Sequence, residues 1–61
     1  MTSYEVGRLV IDRVQRVDAA ARDVLEGMSL VRAAARHDVS RSAVARAIPR
    51  VRARMRAEGA S

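Results

Sequence analysis

The stretch that decides the fold is Leu30–Ala47, which reads LVRAAARHDVSRSAVARA. Serines stand where two helices would begin, at Ser29 and Ser40, because a serine hydroxyl can accept a hydrogen bond from the first helical turn. The pair Ala33-Ala34 lies within the first of these helices and allows close approach of the second. A tight turn over His37–Val39 separates them. This spacing predicts a helix-turn-helix, whose second helix can dock in the major groove of DNA.

The turn and the second helix carry further signals. Asp38 occupies the turn position where a positive φ is usual, and aspartate tolerates that conformation better than most residues. Three apolar residues are expected to face the first helix: Val39, Val44 and Ala47. Pro49 then predicts either a kink or a helix end near Ile48 with a new helix starting at the proline.

The sequence before the motif predicts an amphipathic helical region. Thr2 and Glu5 have the spacing of a capping box, and Gly27 is expected to close the region in a left-handed conformation. Apolar residues recur at steps of four and three, as on one helical face: Val6, Val10, Val14, Val17, Ala21, Val24 and Met28. The spacing is compatible with one helix, with two, or with a coiled-coil seam. We expect two helices, broken near 16–18, because a compact globule needs a bend.

These elements predict an all-α fold, a small helical domain of four to five helices with a helix-turn-helix. We expect one domain over residues 1–61. Residues 1–28 form an N-terminal helical support, residues 29–48 the helix-turn-helix and residues 49–61 a basic C-terminal helix.

The small size of the chain favours self-association. Its 61 residues include no cysteine and one histidine, so neither disulfides nor a zinc site of the usual kind can reinforce the fold. Chains below about 70–80 residues commonly need such reinforcement or oligomerisation, and we therefore expect a homodimer. The longest run of large apolar residues, Leu9–Ile11, cannot span a bilayer, and no targeting signal is visible. We expect a soluble, cytoplasmic protein without membrane partners.

Charge is divided unevenly along the chain. Residues 1–28 have four arginines and five acids, a net charge of −1, whereas residues 29–61 have eight arginines and two acids, a net charge of +6. Every basic residue is arginine, whose planar guanidinium binds phosphates and guanine edges bidentately. A basic half of this kind indicates a polyanionic partner, and double-stranded DNA fits the motif.

The segment 27–55 resembles the helix-turn-helix of the TrfB/KorA family of plasmid repressors. The resemblance is carried by Gly27, Ala33-Ala34, Val39-Ser40-Arg41, Ala43-Val44 and the run Ala47–Val51. It implies a plasmid or phage transcriptional repressor that binds a palindromic operator as a dimer. Two features differ from the family pattern: we expect no separate dimerisation domain in the few residues that follow the motif, and Pro49 stands in the recognition helix.

The exposed start of the second helix contains the candidate base contacts. They are Ser40, Arg41, Ser42, Ala45 and Arg46. In a docked helix-turn-helix this face meets base edges, and Arg41 and Arg46 are expected to bind guanine O6 and N7. The competing interpretation is a solvated helix face.

Phosphate contacts are expected from both sides of the motif. The candidates are Ser29, Arg32, Arg36, Arg50 and Arg54. Such contacts fix position without reading sequence. The competing interpretations are a plain helix cap at Ser29 and solvated arginines elsewhere.

No enzyme motif is present, and we expect no catalytic residue, cofactor, metal or small-molecule ligand. Two alternatives to a repressor remain. One is an architectural or recombination DNA-binding factor, and the other is a helical protein-interaction module that uses the valine-rich face.

Overall fold

The computed structural model describes residues 2–60, and all of their side chains except those of Ser3, Tyr4, Val6, Arg8 and Ala60. Helix α1 spans Ser3–Leu25, α2 spans Leu30–Arg36 and α3 spans Arg41–Ala60. Residues 2–60 contain no strand, so the expected all-α class is confirmed. The expected count of four to five helices is wrong, because neither the break expected near residues 16–18 nor a new helix start at Pro49 occurs. Met1 and Ser61, the ends of the predicted 1–61 domain, lie outside the described residues.

Helix α1 begins at the predicted capping box and continues without a break. The Thr2 hydroxyl accepts a hydrogen bond from the Glu5 N–H at 3.3 Å, and the Glu5 carboxylate accepts one from the Thr2 N–H at 3.2 Å. The break expected near residues 16–18 is absent. No glycine or proline lies between residues 8 and 26 to interrupt the helix, and the bend that the globule needs occurs at Gly27 instead.

The helix-ending turns of α1 and α2 share one hydrogen-bond pattern. Gly27 has a φ of 116°, and the Met28 N–H returns to the Asp23 carbonyl at 2.9 Å. Asp38 has a φ of 54°, and the Val39 N–H returns to the Ala34 carbonyl at 3.0 Å. Both are Schellman-type ends in which a left-handed residue turns the chain and satisfies free carbonyls. The conformations predicted for Gly27 and Asp38 are confirmed.

Helix α3 runs through Pro49, so the alternative in which a new helix starts at the proline is wrong. Proline lacks an N–H and therefore leaves the carbonyl of Ala45 without its helical partner. Ala45 and Pro49 are both exposed, and water can reach that carbonyl. The predicted basic C-terminal helix is, over its described residues, the second half of α3.

The buried core is built largely from alanine. Its members are Val17, Ala20 and Ala21 of α1, Ala33 and Ala34 of α2, and Val44, Ala47 and Val51 of α3. Small side chains let the three helices pack at short distances, but each buries little apolar area. Val44 has 0% of its surface exposed and is the largest fully buried side chain among those described. Val44 and Ala47 thus face inward as predicted, while Val39 and Ile48 are half-buried at the edge.

The apolar face of α1 is divided between core and solvent. From Val17 onward it packs on α2 and α3, whereas Val10 and Val14 are exposed. Leu9, Val10, Ile11 and Val14 are 46–58% exposed. Within the described part of the chain, no helix combines the length and hydropathy that crossing a membrane requires.

Replacing Val44 tests how far the fold depends on this core. Val44→Ala removes two buried methyl groups, and we expect the free energy of unfolding to fall by about 2 kcal/mol. Val31→Ala makes the same chemical change at a position that is 59% exposed, and its effect should stay below about 0.5 kcal/mol. Urea denaturation followed by circular dichroism measures both. Equal losses for the two variants would contradict the described core.

Candidate nucleic-acid interface

The first two turns of α3 present an exposed face on the side opposite the core. Val44, Ala47 and Val51 point inward, and the helical repeat therefore turns the residues between them toward solvent. The predicted base-contact residues Ser40, Arg41, Ser42, Ala45 and Arg46 are all exposed in this region. The structure thus brings all five together at the start of α3.

At the start of α3, one polar side chain is held by a hydrogen bond within the helix, and two arginines form no ion pair with a described side chain. The Ser40 hydroxyl accepts a hydrogen bond from the Ala43 N–H at 3.1 Å and caps the helix. Arg41 and Arg46 take part in none of the ion pairs formed by the described side chains. Their guanidinium donors are therefore available to guanine or phosphate acceptors, which arginine binds bidentately.

Helix α2 presents a smaller polar face. The Ser29 hydroxyl accepts the Arg32 N–H at 3.2 Å, so this residue is the helix cap that the sequence also allowed. Arg32 is exposed and forms no ion pair with a described side chain. Arg36 is exposed too, with its Nη1 3.6 Å from Asp23 Oδ2. Ser29, Arg32 and Arg36 share one face through their three- and four-residue spacing.

Arg50 and Arg54 turn toward α1. Both donate hydrogen bonds to the Asp18 carboxylate, Arg50 to Oδ1 and Arg54 to Oδ2, the latter at 3.2 Å. The Asp18 side chain is 15% exposed, whereas both arginine side chains are about half exposed. These two predicted phosphate contacts therefore already have an anionic partner within the chain. Sequence spacing does not relate Asp18 to these arginines, because the packing of α1 on α3 brings the three residues together.

A second acid on α1 holds the end of α2. Asp23 Oδ2 lies 2.7 Å from His37 Nε2, and both side chains are largely buried. Arg36 approaches the same oxygen. This contact ties the first helix of the motif to α1, so His37 has a structural partner in addition to its place at a helix end.

Comparison with known proteins identifies the family of the chain. The family profile described as helix-turn-helix, Psq domain matches residues 15–56. The chain belongs to the Psq family. The match includes the second part of α1, all of α2 and most of α3, and this Psq domain is a DNA-binding helix-turn-helix. The resemblance to TrfB/KorA repressors is supported only as a helix-turn-helix in general. Searches of curated proteins and of solved structures gave no match.

Four further exposed arginines, which were not predicted as site residues, lie in α3 or beside its start. Arg52 and Arg56 are exposed on the outward side of the helix and form no ion pair with a described side chain. Arg13 and Arg16 of α1 line a cleft of about 430 Å³ that also includes Ser40. Helical spacing could have assigned Arg52 and Arg56, whereas the position of Arg13 and Arg16 depends on tertiary packing.

The Asp18 contacts generate a prediction about stability. Asp18→Asn removes the charge that holds two guanidinium groups, and we expect the free energy of unfolding to fall by about 1 kcal/mol, as for exposed ion pairs. Asp12→Asn is the matched control, because Asp12 lies exposed on the same helix and forms no ion pair with a described side chain. Its effect should stay within about 0.5 kcal/mol. Indistinguishable denaturation curves for the two variants would argue against the ion pairs in solution.

Proposed function

We propose that this Psq domain is a sequence-specific reader of double-stranded DNA that acts as a dimeric transcriptional repressor on an inverted-repeat operator. The observation that carries the proposal is the start of α3, where Arg41 and Arg46 are exposed and form no ion pair with a described side chain. A recognition helix places this part of its surface against base edges in the major groove.

The residue types along this face suit base reading. Arg41 and Arg46 can each bind O6 and N7 of a guanine. Ser42 can donate to or accept from a base or a phosphate, and the capping Ser40 can still donate its hydroxyl proton. Ala45 is small enough to let the helix approach and can contact a thymine methyl group.

The phosphate contacts fall into two groups in this proposal. Ser29, Arg32 and Arg36 belong to the first helix of the motif, which crosses the DNA backbone in the usual docking geometry. Arg50 and Arg54 would reach phosphates only by exchanging the Asp18 carboxylate for the DNA backbone. Their contribution to affinity is therefore expected to be smaller than their charge alone indicates.

The dimer is proposed to form through the uncovered half of α1. Val10 and Val14 continue the apolar face that makes the core, with Leu9 and Ile11 on either side of it, yet no described part of the chain covers these four residues. A core with five alanines among its eight buried residues gives this small domain little apolar burial of its own. A second copy supplies an identical apolar helix, and a two-fold axis through this contact would match an inverted-repeat operator.

Repression is the regulatory outcome that the TrfB/KorA resemblance favours. A dimer bound across a promoter would exclude polymerase by occupying the same DNA. A repressor of this plasmid or phage type would act in the cytoplasm.

Selection of bound sequences from a random duplex pool tests the proposal. The wild-type chain should enrich an inverted repeat with half-sites about one helical turn apart, and its affinity should fall as salt rises. Enrichment without an inverted repeat would contradict the dimer. Salt-sensitive binding without enrichment would favour an architectural factor, and no binding at low salt would favour the protein-interaction module.

Two variants distinguish recognition of the base sequence from electrostatic attraction to the DNA backbone. Arg46→Ala should relax the preference at one position of each half-site, at a cost of about 1–3 kcal/mol for the preferred base. Arg54→Ala should weaken binding to all duplexes alike and lower the salt slope by up to about one. Repeating the selection with each variant measures both effects. Unchanged preferences for Arg46→Ala would remove that residue from the base contacts.

A further inference from the structure

Two arginines of α1 lie beside the helix-turn-helix without belonging to it. Arg13 and Arg16, about one helical turn apart, line the cleft of about 430 Å³ described above. Its opposite wall consists of the turn and the start of α3, namely Asp38, Val39, Ser40 and Ala43. Arg13 also precedes the span 15–56 that matches the Psq family.

Helices α1 and α3 run in the same direction, and the cleft lies at the end of the domain where α3 begins. The cleft brings Arg13 and Arg16 to Ala43, and further along α1 Arg22 donates to Glu58 at 2.9 Å. The first half of α1 therefore extends past the turn, on the side where α3 begins. That end of α3 is the one that enters the major groove in the proposed function.

We propose that Arg13 and Arg16 bind phosphates of the DNA strand that borders the groove holding α3. This inference rests on the proposed function and deepens it by adding a contact from outside the helix-turn-helix. Both side chains are exposed, and neither joins an ion pair with a described side chain. A helix inserted in the major groove is flanked by phosphate backbones, and an arginine beside its first turn is positioned for charge-assisted hydrogen bonds to them.

Asp38 in the same cleft allows a second test, in which a substitution is expected to strengthen DNA binding instead of weakening it. Asp38 places a negative charge beside the proposed phosphate position. Asp38→Asn removes that charge, and asparagine tolerates the observed φ of 54° as well as aspartate does. Loss of an arginine from the cleft should therefore weaken DNA binding, whereas loss of this acid should strengthen it.

The experiment measures duplex binding by fluorescence anisotropy over a range of salt concentrations. Arg13→Gln and Arg16→Gln should each lower the slope of log Kobs against log salt by about 0.9, the value for one lost phosphate contact. The preferred sequence should stay the same, because phosphate contacts do not read bases. Arg13→Lys and Arg16→Lys keep the charge and should keep the slope, and Asp38→Asn should bind DNA more tightly than wild type.

Arg22→Gln is the matched control. It removes one arginine from the same helix at the end that faces Glu58, away from the cleft. Thermal unfolding of each variant checks that the fold is kept. If wild type binds but Arg13→Gln and Arg16→Gln change the slope no more than Arg22→Gln does, the inference is overturned while the proposed function stands. If wild type binds no duplex, both are overturned.

Discussion

The structure depends on one buried cluster of small side chains that is shared by all three helices. Ala33 and Ala34 of α2 belong to it together with Val44 and Ala47 of α3, and all four are at most 3% exposed. Side chains this small bring the helix axes near one another, because little volume separates the backbones. Once this side of α3 is fixed inward, the helical repeat turns Arg41, Ser42, Ala45 and Arg46 outward. The exposure of the face that we propose to read DNA is thus a consequence of core packing.

The described arginines divide into those paired with acids of the chain and those exposed without such an ion pair. Asp18 and Glu58 join α1 to α3 through Arg50, Arg54 and Arg22. Arginines on the outward side of α3 lie beyond the reach of these acids, and DNA can supply their anionic partners. The same residue type therefore forms ion pairs between the helices and lines the proposed interface, and net charge alone overstates the number of arginines available to DNA.

Local signals in the sequence predicted the motif well. The caps at Thr2, Ser29 and Ser40 and the left-handed residues Gly27 and Asp38 each depend on neighbours within a few positions, and all are confirmed. The break predicted in α1 and the alternative in which a new helix starts at Pro49 were wrong. The first rested on the bend that a compact globule needs, which occurs at Gly27 instead, and the second on the local effect of proline, through which α3 continues.

Contacts between distant residues could not be read from the sequence. Asp18 is separated from Arg50 by 32 positions, and the cleft joins α1 to a turn that follows α2. No helical period relates such residues, so the ion-paired state of Arg50 and the placement of Arg13 require the three-dimensional arrangement. The exposure of the first half of the α1 apolar face could not be predicted either, since the apolar periodicity does not show which of its residues the other helices cover.

The start of α3 is the surface that we propose to meet DNA. The most direct measurement is a backbone amide NMR titration with the tightest duplex recovered from a random pool. We expect the largest shift changes at Ser40–Arg46, with smaller changes along α2 and near Arg13 and Arg16. Changes confined to Leu9–Val14, with the amides of Ser40–Arg46 unaffected, would contradict the assignment.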